Sequence, residues 1–186
     1  MFSNSIKNLK TMNTSEIYTS KKLESIIPTS LIQNESSNTP NPFGTWNATV
    51  FFVSRKRCVL ATNSIARWSF MMSNMRKPEF ENISEIFTNS LIEQLEREHI
   101  SFKESALKEL IGEVTLHRTN NNRAIIGTQN YLLGYVDFWK SKYGPIENWD
   151  FRMLASHVNS LPYKQLGWTF PTENMKGLLN EIGASI

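Results

Sequence analysis

The eight residues from Trp46 to Val53 constrain the fold more than any other part of the chain. Trp46, Ala48, Val50 and Phe52 alternate with Asn47, Thr49, Phe51 and Val53, and by the end of the run both sets are apolar. Alternation by two places the sets on opposite faces of a strand, so a strand that is apolar on both belongs inside a sheet. The polar tip Ser54-Arg55-Lys56 separates it from Arg57-Cys58-Val59-Leu60-Ala61-Thr62, which reads as the returning arm of a hairpin. Asn63-Ser64 then turns the chain into Ile65 to Met72. The pattern predicts an antiparallel meander with strands near 46–53, 57–62 and 65–72.

A further strand is predicted over 113–118, where Glu113-Val114-Thr115-Leu116-His117-Arg118 alternates, and Glu16 to Thr19 has the composition of a short one. Helical spacing appears in two longer segments. Asn82 has the chemistry of an N-cap with Glu85 three positions on, and Ile83, Phe87, Leu91 and Leu95 share a face, which predicts a helix over 83–99. Asn120, Asn121 and Asn122 offer caps to a long helix over 122–143, ended by Gly144-Pro145. In it Ile125, Leu132, Val136, Trp139 and Tyr143 form one apolar stripe at about 100° per residue. Shorter helices are predicted at Ser20 to Ile27, at Glu104 to Leu110, after Asp150 and from Pro171. Strands in a meander, segregated helices and one late strand give an α+β fold, an antiparallel sheet packed on the helices near 83–99 and 122–143.

At 186 residues one domain is expected. Residues 1–14, rich in Asn, Ser, Thr and Lys, read as a flexible tail, and Gln33 to Pro42 as a second mobile stretch. Residues 15–186 then form a single α+β domain with a C-terminal helical extension from about 146. The single cysteine, Cys58, cannot make an internal disulfide, and no apolar run reaches membrane-spanning length or resembles a secretory signal. A cytoplasmic protein that does not enter membranes is expected. The net charge of +3 is too small to identify a nucleic-acid binder.

No GxxxxGK, GxGxxG, HExxH or GxSxG pattern is present, and His99, His117 and His157 are too scattered for a metal-type spacing, so neither metal nor cofactor is implied. On the long helix Arg123, Gly127, Asn130, Gly134, Asp137 and Ser141 project within about 40° of one line. Glycine inside a helix costs about 1 kcal/mol relative to Ala, so two on one face suggest close approach by a ligand phosphate, a nucleic-acid backbone, a protein segment or a neighbouring helix of the same chain. The same stripe also suits the solvent face of an amphipathic helix. Arg55, Lys56 and Arg57, with Lys21, Lys22, Arg118 and Arg123, supply a candidate cationic surface, though basic hairpin tips are also ordinary soluble turns. His117, next to Arg118, is the candidate proton carrier should Arg123 hold a phosphate. Cys58, in an apolar strand, reads as a small buried hydrophobe.

Three segments carry a resemblance: Tyr18-Thr19-Ser20-Lys21-Lys22-Leu23, the Trp46 strand with Arg57-Cys58-Val59-Leu60-Ala61-Thr62-Asn63, and Arg118-Thr119 through Arg123, Gly127 and Asn130. Over roughly 16–144 the chain resembles a family of small bacterial proteins known only as a domain of unknown function. The resemblance implies a short soluble protein of bacteria and their mobile elements, and carries no catalytic residue. The leading expectation is a non-enzymatic interaction module that meets a protein or nucleic-acid partner through Arg123, Gly127, Asn130 and Gly134, with Arg55, Lys56 and Arg57 adjoining. The alternatives are a metal-independent phosphoesterase or ribonuclease-like enzyme using His117 and Arg123, and an antitoxin-like or phage-encoded inhibitor that would expose an apolar patch.

Overall fold

The structure, a computed structural model, describes residues 13–35 and 40–186. Residues 1–12 of the predicted 1–14 tail and positions 36–39 of the second polar stretch lie outside the described residues, while Thr14, the last residue assigned to the tail, instead begins the first strand. In chain order the elements are β1 (Thr14–Thr19), α1 (Lys21–Glu24), β2 (Ile32–Gln33), β3 (Trp46–Val53), β4 (Lys56–Asn63), β5 (Ser69–Met72), α2 (Lys77–Glu81), α3 (Ile83–Arg97), α4 (Glu104–Ile111), β6 (Glu113–His117), α5 (Arg123–Leu133), α6 (Tyr135–Tyr143), α7 (Phe151–Asn159) and α8 (Pro171–Glu181).

The strands form one six-stranded sheet in the order β2-β6-β1-β3-β4-β5. The expected meander is present as β3-β4-β5, antiparallel throughout. The sheet as a whole is mixed, which corrects the antiparallel prediction: β1 runs parallel to both β3 and β6, and β2 parallel to β6. Parallel neighbours need crossovers rather than tight turns. Here the late strand β6 enters between β1 and β2, which the chain has already laid down.

Both faces of β3 are buried, as its composition requires, except at Phe52 near its end, which is exposed. One face contributes Trp46, Ala48 and Val50, joined by Ile17, Val59, Ala61 and Leu116 from neighbouring strands, to a core closed by Phe87, Leu91 and Leu95 of α3, Leu107 and Ile111 of α4, and Met175, Leu178 and Leu179 of α8. Trp46 is its hub, meeting Phe43, Phe70 and Phe87 edge-on at ring separations of 5.6, 5.5 and 5.2 Å. The other face contributes Phe51, Val53, Cys58 and Leu60, packed under Leu132, Val136, Trp139, Leu154 and Val158 of α5, α6 and α7. The segment after 146 therefore supplies side chains to both cores.

Several boundaries shift for local reasons. The hairpin turn is Ser54-Arg55 alone, both at positive φ (48° and 68°), and Lys56 already pairs with Val53. The strand predicted from Ile65 begins only at Ser69. The Asn63 side chain accepts from the Ile65 and Ala66 amides, holding residues 63–68 as a turn. Asn82 does not cap α3 through its side chain, which instead donates to the Pro78 carbonyl at the end of α2. Asn122 does cap, accepting from Ile125 N at 3.2 Å. The long helix divides at Gly134, whose amide reaches both Asn130 O and Tyr131 O at 3.1 Å while its φ of −59° and ψ of −25° stay helical. Gly112, at φ +58°, has no room for a side chain: a Cβ there would sit 1.7 Å from the backbone oxygen of Asn13.

Candidate functional site

The register places Gln33, His117, Tyr18, Asn47, Thr62 and Ser69 side by side across all six strands, each opposite the next. Partners in register share a face, so a continuous polar row crosses the sheet on the α5 side. The half from Asn47 to Ser69 is bonded from above, although Asn47 Oδ1 finds no partner among the described residues. Gln129 of α5 donates to Asn47 O at 2.8 Å and lies within reach of Leu60 O and Thr62 Oγ1, and Asn159 of α7 exchanges two 2.8 Å bonds with the backbone of Ser69. Asn47 donates to Asn120 Oδ1 at 2.9 Å. Buried polar groups need such partners, and this row accounts for α5 carrying a fully buried glutamine. The i, i+2 polar positions in β1, β3 and β6 were the available signal for it.

His117 belongs to this row rather than to an open site. It is buried, its Nε2 is 2.8 Å from Thr115 Oγ1, and its ring lies 5.5 Å from that of Tyr18. Burial holds its pKa below the ordinary 6.5, against a smaller upward pull from the Glu16 carboxylate. Arg123 stands at the start of α5, exposed to solvent, and no hydrogen bond or ion pair joins it to His117 among the described residues. Cys58 is fully buried, with its thiol pushed up to about 11, mainly by desolvation.

The helix stripe is exposed along its length: Arg123, Gly127, Asn130, Gly134, Asp137 and Ser141 all face solvent. A Cβ on Gly127 would meet no atom within 4 Å among the described residues, so packing against them does not explain that glycine. On Gly134 it would meet Tyr131 O at 3.1 Å, so this glycine eases the division of the helix. Two aromatic side chains that sequence reasoning passed over occupy the same face. Tyr131 and Phe138, 53% and 59% exposed, lie within about 40° of Gly127 around the axis. The Tyr163 ring lies 6.4 Å from that of Tyr131 and ties this face to the loop bearing Trp168 and Phe170, which are also exposed.

The cationic tip is only partly available. Lys56 is bound to Glu147 at 2.7 Å, Arg57 is half-buried opposite Phe52, and Arg55 is exposed. Lys22 stacks over Phe52 at 5.3 Å from the ring centre, and Arg118 pairs with Glu24 at 2.8 Å. Among the described residues no three His, Cys, Asp or Glu side chains gather in a metal-binding group, and no helix is long and apolar enough to cross a membrane.

These features define a mixed α/β domain with an exposed helix face of glycines and aromatics. A family described as a domain of unknown function (DUF6933) matches residues 16–174, and the chain belongs to it. No curated protein matches the sequence significantly.

Proposed function

We propose that this chain is a non-enzymatic interaction module whose partner is a protein, docked on the α5–α6 face around Arg123, Gly127, Asn130 and Gly134. The carrying observation is the open space over Gly127 beside two largely exposed aromatic rings, Tyr131 and Phe138. Tyrosine and other aromatic side chains supply a disproportionate share of interface energy when a partner buries them, and a bare helix backbone lets that partner come close. A protein is preferred to a nucleic acid because charge on the face is mixed. The face carries Arg123 and also Asp137, the latter paired with Lys140 at 3.0 Å, and Lys56 at the hairpin tip is paired with Glu147. The inhibitor reading is a special case of this one, since the exposed patch is what it requires.

An enzyme acting through His117 and Arg123 draws no support from their positions, one inside the polar row and the other in solvent. The test is isolation from the native host under gentle lysis, comparing wild type with the double variant Tyr131→Ser, Phe138→Ser. A protein held by wild type through a high-salt wash and absent from the variant, with unchanged melting temperature, supports the reading. Retention by both, or by neither, counts against it.

A further inference from the structure

A second feature, independent of the helix face, lies at the carboxyl ends of β1 and β6. These strands are adjacent, parallel and in register up to Tyr18 and His117. From their ends the chain departs to opposite faces of the sheet. After β1, α1 packs Leu23 into the core shared with α3, α4 and α8, whereas after β6, α5 packs Leu132 into the core over Phe51 and Leu60. Departure to opposite sides opens a crevice between the two strand ends, the position at which open α/β sheets bind ligands.

The crevice is present as a cleft of about 540 Å³. Lys21, Glu24, Ser25 and Thr29 line one wall, and Arg118 and Thr119 the other. Two cations face one carboxylate. Glu24 Oε1 takes a single Arg118 nitrogen at 2.8 Å, which steadies the guanidinium and leaves its remaining donors without an acceptor among the described residues. Lys21 has no ion pair among them either. Two hydroxyls, from Thr29 and Thr119, stand with the cations, that of Ser25 being already given to Lys22 O at 2.8 Å, and Ile32 contributes apolar surface. Arginine with its fork partly free, a lysine and hydroxyl donors make the chemistry of an oxyanion site. The volume is far larger than an inorganic ion needs and falls in the range of small-molecule pockets.

We propose that this crevice binds a small organic phosphate of nucleotide size, its phosphate held between Lys21 and Arg118 and its organic part lying toward Ile32. The experiment is calorimetric titration of the full chain at low salt with four probes: uridine monophosphate, adenosine monophosphate, adenosine and a single-stranded oligouridylate. Saturable binding is expected for at least one monophosphate and not for adenosine. Arg118→Ala and Lys21→Ala should each weaken it by about tenfold, the scale of one charge-assisted contact. Arg118→Lys, which keeps the partner for Glu24 but loses the fork, should also weaken it, and serves if Arg118→Ala melts early. Absence of saturable binding by both monophosphates, or binding that all three variants leave unchanged, overturns the proposal. Binding confined to the oligouridylate and falling steeply with salt also overturns it, by assigning the phosphate to a nucleic-acid strand.

Discussion

Replacing Glu98 with glutamine, an isosteric change that removes only charge and one acceptor, tests how the second layer of helices is fastened to the sheet. Glu98, half-buried at the end of α3, accepts four hydrogen bonds: Gln94 Nε2 at 2.8 Å and Asn159 Nδ2 at 2.6 Å on one oxygen, and Trp68 Nε1 at 2.8 Å and Thr172 Oγ1 at 2.7 Å on the other. It thereby joins α3 to α7, α8 and the turn before β5. In Glu98→Gln the amide oxygen has to face Gln94 and Asn159, both obligate donors, so the amide nitrogen faces Trp68 and Thr172. The threonine hydroxyl can turn to accept; the indole cannot. Gln94 and Asn159 also have other acceptors, Arg152 O and Ser69 O, whereas among the described residues Trp68 Nε1 donates to Glu98 alone and is part of a fully buried side chain. One buried donor left unpaired costs about 1–3 kcal/mol. At about 2–4 °C per kcal/mol for a chain of this size, the melting temperature should fall by roughly 4–8 °C for a loss of about 2 kcal/mol. Urea unfolding of wild type, Glu98→Gln, Trp68→Phe and the double variant forms a cycle that isolates the pair. The account requires Glu98→Gln to cost less in the Trp68→Phe background. Equal cost in both backgrounds would refute the assignment to the orphaned indole.

Three other outcomes follow from the same structure. Gly127→Ala should stabilise the free chain by about 0.4–1 kcal/mol, because the new methyl meets nothing and the unfolded chain loses freedom; a lower urea midpoint would mean that the face is not open. The depressed His117 pKa means that the unfolded chain takes up a proton first as pH falls below 6.5, so stability present above that pH should decline toward the lower folded value, and His117→Gln should flatten this part of a stability-against-pH curve. With its thiol buried and raised to about 11, Cys58 should resist an aromatic disulfide reagent in the native state and react on unfolding; rapid native labelling would contradict its burial.

Much of this was legible wherever local chemistry decides. The two-faced apolar run of β3, the apolar stripe of α5 and α6, the Asn122 and Asp150 caps and the start of α8 at Pro171 all read directly from residue type and spacing. What periodicity does not encode is which strands become neighbours. β2 has only two residues, and β6 is separated from its partner β1 by more than ninety, so the parallel half of the sheet has no local signature. Caps misled for a related reason. Asn82 has the right chemistry for α3, but the end of α2 next to it offers the Pro78 carbonyl first. At the helix face, spacing placed Arg123, Gly127, Asn130 and Gly134 on one line, while the exposure of that line and of Tyr131 and Phe138 beside it emerges only in the structure. The crevice between β1 and β6 went unseen because its walls, at Lys21 and Arg118, are brought together only by that parallel pairing.

The docking face itself is tested most directly by contact. A photoreactive residue introduced at Asn130, on the exposed face of α5, should cross-link in the native host to one discrete protein, while the same residue at Lys108, exposed on α4 across the sheet, should not. A common set of adducts from both positions, or none from Asn130, would contradict a partner seated over Gly127.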